Sequence, residues 1–247
     1  MLILPAIDLQ AARCVRLVQG DFAQVQEFSD DPATVAQRWQ AAGARWLHVV
    51  DLDGAREGAP RNLEAIRHIR QSASLSIEVG GGLRAIESVA ALFDLGVNRA
   101  ILGTAALKDR RFLRACLNRW GQQIAVGIDA RSGLVATDGW LETSTTPALA
   151  LAQELAAEGV ARFIYTDIQR DGTLTGPNLA SLAQLQQTIT QPIIASGGVS
   201  SLADLRALAA LNVEGAIVGR ALYTGEVDLA EAIEVIEREG LATEDRG

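Results

Sequence analysis

Gly96–Leu107, GVNRAILGTAAL, can be laid over Asn212–Tyr223, NVEGAIVGRALY, at an offset of 116 residues. Val97 falls on Val213, Ile101 on Ile217, Gly103 on Gly219 and Ala105 on Ala221. Upstream the same offset joins Asp51 with Asp167, Asn62 with Asn178, Leu63 with Leu179, Gly81 with Gly197 and Gly82 with Gly198. A register kept unbroken over such a span marks an internal repeat. Nearer the two starts, Pro5-Ala6-Ile7-Asp8 matches Val126-Gly127-Ile128-Asp129 at an offset of 121. The repeat divides the chain roughly into 1–120 and 121–247.

Within each half, short apolar β-rich runs alternate with amphipathic stretches. The predicted strands are 2–7, 45–50, 75–79, 98–102, 123–128, 162–166, 192–195 and 215–218. The predicted helices are 32–42, 62–72, 85–95, 109–119, 147–158, 178–187, 201–211 and 228–238. In the fifth helix Leu149, Ala152, Leu155 and Ala156 recur at helical spacing, with Gln153, Glu154 and Glu158 interleaved. Eight strands, each followed by one helix, predict an α/β fold: a single (β/α)8 TIM barrel over 1–247, made of two repeated half-barrels. An open doubly wound sheet fits eight units of such even length less well.

Composition narrows the function. Of the 247 residues 49% are hydrophobic and 21% charged, which supplies a well-buried core and excludes disorder. The 22 basic residues are outnumbered by 30 acidic ones, for a net charge of −8, and Lys108 is the only lysine. Without a Lys/Arg run the chain offers no surface for nucleic acid or for an anionic membrane, so any bound anion is held by local geometry. Cys14 and Cys116 are too far apart for a disulfide framework or a metal cluster and read as small buried hydrophobes in a reducing, cytoplasmic compartment. The start MLILPAID has no basic segment, so no signal peptide is expected, and no apolar run approaches a membrane span.

In such barrels the C-terminal strand ends and the loops that follow build the site. Glycines cluster there in pairs of adjacent strands: Gly81, Gly82, Gly103 and Thr104 in one half, Gly197, Gly198, Gly219 and Arg220 in the other. Glycine lets backbone N–H groups approach an anion closely, so each set reads as a phosphate site. Two such sites facing each other across the barrel mouth imply a small-molecule substrate with a phosphate at each end. The loop Asp167–Asn178, DIQRDGTLTGPN, adds Gly172 and Gly176, suited to the same phosphate or to a closing lid, whereas Asn178 reads better as a helix cap. Neither His48 nor His68 has the companions a metal site requires, so no metal is expected. Lys108 opens a helix and is not a Schiff-base lysine, and no GxSxG elbow is present. There remain Asp8 and Asp129, at corresponding strand ends of the two halves, as a general acid and general base pair over apolar strands that desolvate them.

The stretches LPAIDLQAARCVRLVQGDF, HVVDLDGAREG, VGGGLR, ILGTAAL, VGIDARSGLVATDGW, YTDIQRDGTLTGPN, ASGGV and VGRALY resemble, in order and over essentially the whole chain, the phosphoribosylformimino-5-aminoimidazole carboxamide ribotide isomerases of histidine biosynthesis. The resemblance implies an Amadori rearrangement without metal or organic cofactor, Asp8 as proton acceptor, Asp129 as proton donor and Thr166 as a supporting residue. Trp140 matches an aromatic that stacks on the substrate, and Arg16, Gln19 and Arg84 are expected to join it in substrate binding. The chain is expected to be monomeric and to meet neither nucleic acid nor membrane. The cyclase subunit of imidazole glycerol phosphate synthase shares the repeat and the paired Asp, but carries a Lys where Val18-Gln19-Gly20 stands here. A non-catalytic phosphosugar-binding subunit is a third reading, against which the intact Asp8 and Asp129 argue.

Overall fold

The computed structural model describes residues 1–18 and 21–238. Twelve strands follow in chain order: β1 (Leu2–Gln10), β2 (Arg13–Val18), β3 (Asp21–Ser29), β4 (Trp46–Asp51), β5 (Ser76–Gly80), β6 (Arg99–Leu102), β7 (Ile124–Arg131), β8 (Leu134–Thr137), β9 (Glu142–Pro147), β10 (Phe163–Asp167), β11 (Ile193–Ser196) and β12 (Gly215–Val218). Eight of them pair in parallel and close on themselves in the order β1, β4, β5, β6, β7, β10, β11, β12. These are the eight predicted strands, and the fold is the predicted (β/α)8 barrel. Helices over Pro32–Ala41, Leu63–Ser72, Ile86–Asp94, Arg110–Trp120, Ala148–Ala157, Leu179–Thr188, Leu202–Ala210 and Leu229–Ile233 surround it.

Local chemistry explains where those helices begin. Asp31 accepts from the N–H groups of Ala33 and Thr34 with Pro32 opening the helix, and Ser201 and Asp204 form a capping box. Asn178 accepts from the Ser181 N–H, as a cap should. The last predicted helix keeps its α form only over Leu229–Ile233 and then turns as a π-helix through Glu234–Arg238. Periodicity did not reveal the antiparallel β2–β3 and β8–β9 pairs, nor the short helices Leu52–Glu57, Thr104–Lys108 and Arg220–Thr224.

Strand alternation divides the core into two. Leu4, Ala6, Ile101, Ala125, Ile164, Ile194 and Ile217 form an inner layer within the barrel. Their sequence neighbours Ile3, Ile7, Leu102, Val126 and Phe163 pack outward in the larger cluster under the helices. Two residues beyond the inner layer, the same alternation carries Asp8, Gly103, Gly127, Thr166, Ser196 and Gly219 to the pocket at the strand ends. Among the described residues no helix is long and apolar enough to cross a membrane. Both cysteines are free and buried, and burial pushes their thiols up, Cys14 to about 12 and Cys116 to about 11.

Candidate active site

One pocket at the C-terminal ends of the barrel strands takes in nearly every residue singled out in the sequence. Asp8, Arg16, Gly81, Gly82, Arg84, Gly103, Thr104, Asp129, Trp140, Thr166, Gly172, Gly197, Gly198, Gly219 and Arg220 all line it. Gly176 does not: its N–H donates to the Gly198 carbonyl at 2.9 Å and its own carbonyl accepts from Arg170, so it braces the loop from behind. Gln19 lies outside the described residues.

Asp8 stands on the first barrel strand and Asp129 on the fifth, on opposite sides of the barrel. Asp8 Oδ2 accepts from Arg16 Nη1 at 2.6 Å. Burial pushes the Asp129 carboxyl above its ordinary value, opposed by hydrogen bonds from Trp140 and Thr166. Trp140 is aimed by backbone geometry: Asp138, Gly139 and Trp140 have φ of 55°, 66° and 70° in succession. The Asp138 N–H donates to Thr104 Oγ1 at 3.0 Å and its carboxylate meets Lys108 Nζ at 2.6 Å, tying this loop to the neighbouring strand end.

Sequence reasoning missed Asp171. The turn after β10, in which the N–H groups of Arg170 and Asp171 both donate to the Asp167 carbonyl, folds it back into the pocket. Burial pushes its carboxyl up to about 6, with Arg16 opposing and the negative charges of Asp8 and Asp129 reinforcing the rise. Asp171 has no acidic partner in the repeat, since the matching position is Ala55. The available signal was an acidic residue four places beyond a barrel strand's terminal Asp167.

The glycine sets divide into two kinds. Gly81, Gly82, Gly197 and Gly198 all have positive φ, and a Cβ on any of them would collide with backbone of the preceding βα loop. For Gly197 the Asp167 carbonyl oxygen would lie 2.7 Å away, and for Gly82 the Gly54 carbonyl oxygen 2.7 Å. Their glycine identity therefore answers to chain packing as well as to any ligand. These loops are pinned by a carboxylate–amide clamp in each half: Asn62 Nδ2 donates to Asp51 and Asn178 Nδ2 to Asp167, both at 2.7 Å. Gly103 is different, because nothing lies within 4 Å of its Cβ position. Gly219 is covered by the Arg16 guanidinium. The Nε atoms of Arg16 and Arg220 are buried without an acceptor among the described residues, while Arg220 Nη1 donates to the Gly172 carbonyl at 2.7 Å. Among the described residues no group of three or more His, Cys, Asp and Glu could hold a metal ion.

A closed (β/α)8 barrel with carboxyls facing one another between glycine-lined strand ends has the layout of an acid–base barrel enzyme. The histidine biosynthesis protein family matches residues 2–228, and the chain belongs to that family. A relative from Chloroflexus aggregans is 54% identical over 237 residues, covering 96% of this chain and 98% of its own length. One from Picosynechococcus sp. is 56% identical over 239 residues, covering 96% of this chain and 93% of its own. Both are named 1-(5-phosphoribosyl)-5-((5-phosphoribosylamino)methylideneamino) imidazole-4-carboxamide isomerase.

Proposed function

We propose that this chain is the isomerase of histidine biosynthesis that converts the aminoaldose bearing two phosphoribosyl groups into the corresponding aminoketose. The observation that carries the reading is the carboxyl pair on the first and fifth barrel strands, within one pocket that both glycine sets line. The acid protonates the ribose ring oxygen, and the ring opens to a protonated Schiff base. Asp8 then removes the C2 proton, and the resulting enolaminol becomes the ketone. Every step is a proton transfer or a bond shift within the substrate, so the chemistry balances without cofactor. Phosphate grips at the two glycine sets would fix both ends of the substrate and keep proton transfer at fixed geometry. The Nε donors of Arg16 and Arg220, buried without an acceptor among the described residues, support an anion at the C-terminal set. Arg84, which is exposed, and Trp140 complete the contacts, and the chain works as a monomer without nucleic acid or membrane.

Asp129 is the first assignment for the acid. The burial of Asp171 supports a second, because a carboxyl titrating at about 6 retains a proton closer to neutrality than an ordinary Asp. Purified chain incubated with the aminoaldose alone, with aldose and ketose separated by chromatography, tests the function. Turnover without ammonia or a partner is expected. A requirement for ammonia would point to the cyclase, and tight binding without conversion to a non-catalytic subunit.

A further inference from the structure

At the offset of 116 residues, three side-by-side inward positions carry ionisable groups in one half and none in the other. His48 on β4, Glu78 on β5 and Arg99 on β6 stand where the other half has Ile164, Ile194 and Gly215. His48 pairs in register with Glu78, and Glu78 with Arg99. His48 Nδ1 lies 2.7 Å from Glu78 Oε1, and Arg99 Nη1 donates to Glu78 Oε2 at 2.7 Å. The Arg99 guanidinium in turn stacks 4.2 Å from the centre of the Trp46 ring. Glu78 is fully buried. A buried row of charges stabilises a protein no better than a well-packed apolar filling, and often less well. The same barrel holds an apolar filling at two of the equivalent places and a glycine at the third, so packing alone does not account for the row.

The row orients one atom. A carboxylate already paired with Arg99 is an acceptor, so the hydrogen-bond network assigns the neutral imidazole's proton to Nδ1. Nε2 is then the free lone pair of a residue that lines the reaction pocket, and it has no hydrogen bond to the described residues. Asp8, paired with Arg16, stands on the adjacent strand, where Ala6 is the register partner of His48, and Asp129 and Asp171 line the pocket from the other side of the barrel.

Resting on the isomerase reading above, we propose that His48 is a further catalytic residue, whose Nε2 takes the C2 hydroxyl proton as the enolaminol becomes the ketone. The balance closes. The acid carboxyl gives one proton to the ring oxygen, and Asp8 takes one from C2 and returns it to C1. The O2–H electron pair forms the C2=O π bond while the C1=C2 pair takes up the proton at C1. The proton on Nε2 passes back to the carboxylate that supplied the ring oxygen. Substrate and enzyme end with the protons they began with. Glu78 and Arg99 are positioning residues that hold the tautomer.

The test uses the full chain in deuterated water. His48→Asn keeps an amide donor for Glu78 in place of Nδ1 but leaves no atom at Nε2. Its kcat is expected to fall by about 10²-fold, the ordinary contribution of one proton-transfer group. The aminoaldose recovered from the reaction should still acquire deuterium at C2, because the Asp8 step precedes the block. Glu78→Gln, which preserves shape, should lower turnover in the same pattern, and Asp8→Asn should abolish exchange and turnover together. Wild-type kcat in His48→Asn, or equal loss of exchange and turnover in a variant with wild-type Tm, overturns the proposal. If His48→Asn does not fold, Glu78→Gln decides by the same two readouts. Absence of turnover in the wild type would instead overturn the isomerase reading.

Discussion

Asp171 carries a stability cost together with its candidate chemistry. Its folded-state pKa of about 6 lies above the ordinary 3.8, so the protonated form favours the folded state. That stabilisation is complete below about pH 4 and is lost as pH rises through about 6. Asp171→Asn removes the loss, so its Tm should gain on the wild type between pH 4 and pH 8, by an amount equivalent to about 2 kcal/mol. Thermal melts at the two pH values check this, and a Tm difference independent of pH would contradict the burial argument. Asp8→Asn and Asp129→Asn should each lower kcat by about 10²- to 10⁴-fold, as general acid–base groups do. Losses below about tenfold at both positions would remove the pair from the mechanism. If Asp171 shares the acid's role, Asp171→Asn should lose as much, and the fall of kcat/KM above about pH 6 should disappear with it. Asp8 and Asp129 were legible because alternation along two matching strands puts both at the mouth. Asp171 was not, because it reaches the pocket through a turn closed on the Asp167 carbonyl, which no sequence period encodes.

Strand-end glycines show at the level of elements how packing and binding separate. Gly197 has φ +94° and would place a Cβ 2.7 Å from the Asp167 carbonyl oxygen, so Gly197→Ala forces the β10 loop and its neighbour apart. A destabilisation of about 2–4 kcal/mol is expected, the size that strained backbone and overpacking reach together. Gly103→Ala adds a methyl to open space and should leave stability within about 0.5 kcal/mol while raising KM. Urea unfolding and steady-state kinetics on both variants check the contrast; equal destabilisation would show that Gly103 also answers to packing. The eight barrel strands were readable because each is an apolar run with turn chemistry at its ends. The β8–β9 pair was not, since Glu142–Pro147 reads ETSTTP and is almost wholly exposed, without the alternation that a half-buried strand shows. The helix Leu52–Glu57, LDGARE, is too short for a helical period to emerge and closes on Gly58 in the left-handed region.

Across the whole molecule the repeat implies one anion grip in each half, although the net charge of −8 opposes anions at long range. Attraction must therefore be short-ranged, from backbone N–H groups and from Arg16 and Arg220, whose Nε donors are buried without acceptors among the described residues. Gly82 and Gly198 are unsuitable for testing this by substitution, because side chains there would strike the Gly54 and Gly176 backbone and disturb the fold as well as the site. Gly103→Val and Arg220→Gln avoid any collision with backbone: one fills open space in the N-terminal half, the other removes a charge from the C-terminal half together with its hydrogen bond to the Gly172 carbonyl. Titration calorimetry with inorganic phosphate should find two weak sites in the wild type and one in each variant, with both lost in the double variant. If each half holds one anion, the C-terminal one would meet two guanidinium groups and the N-terminal one mainly backbone donors, so the site surviving in Gly103→Val should weaken more with added salt. A single wild-type site abolished by either substitution would mean that the two halves build one anion site between them.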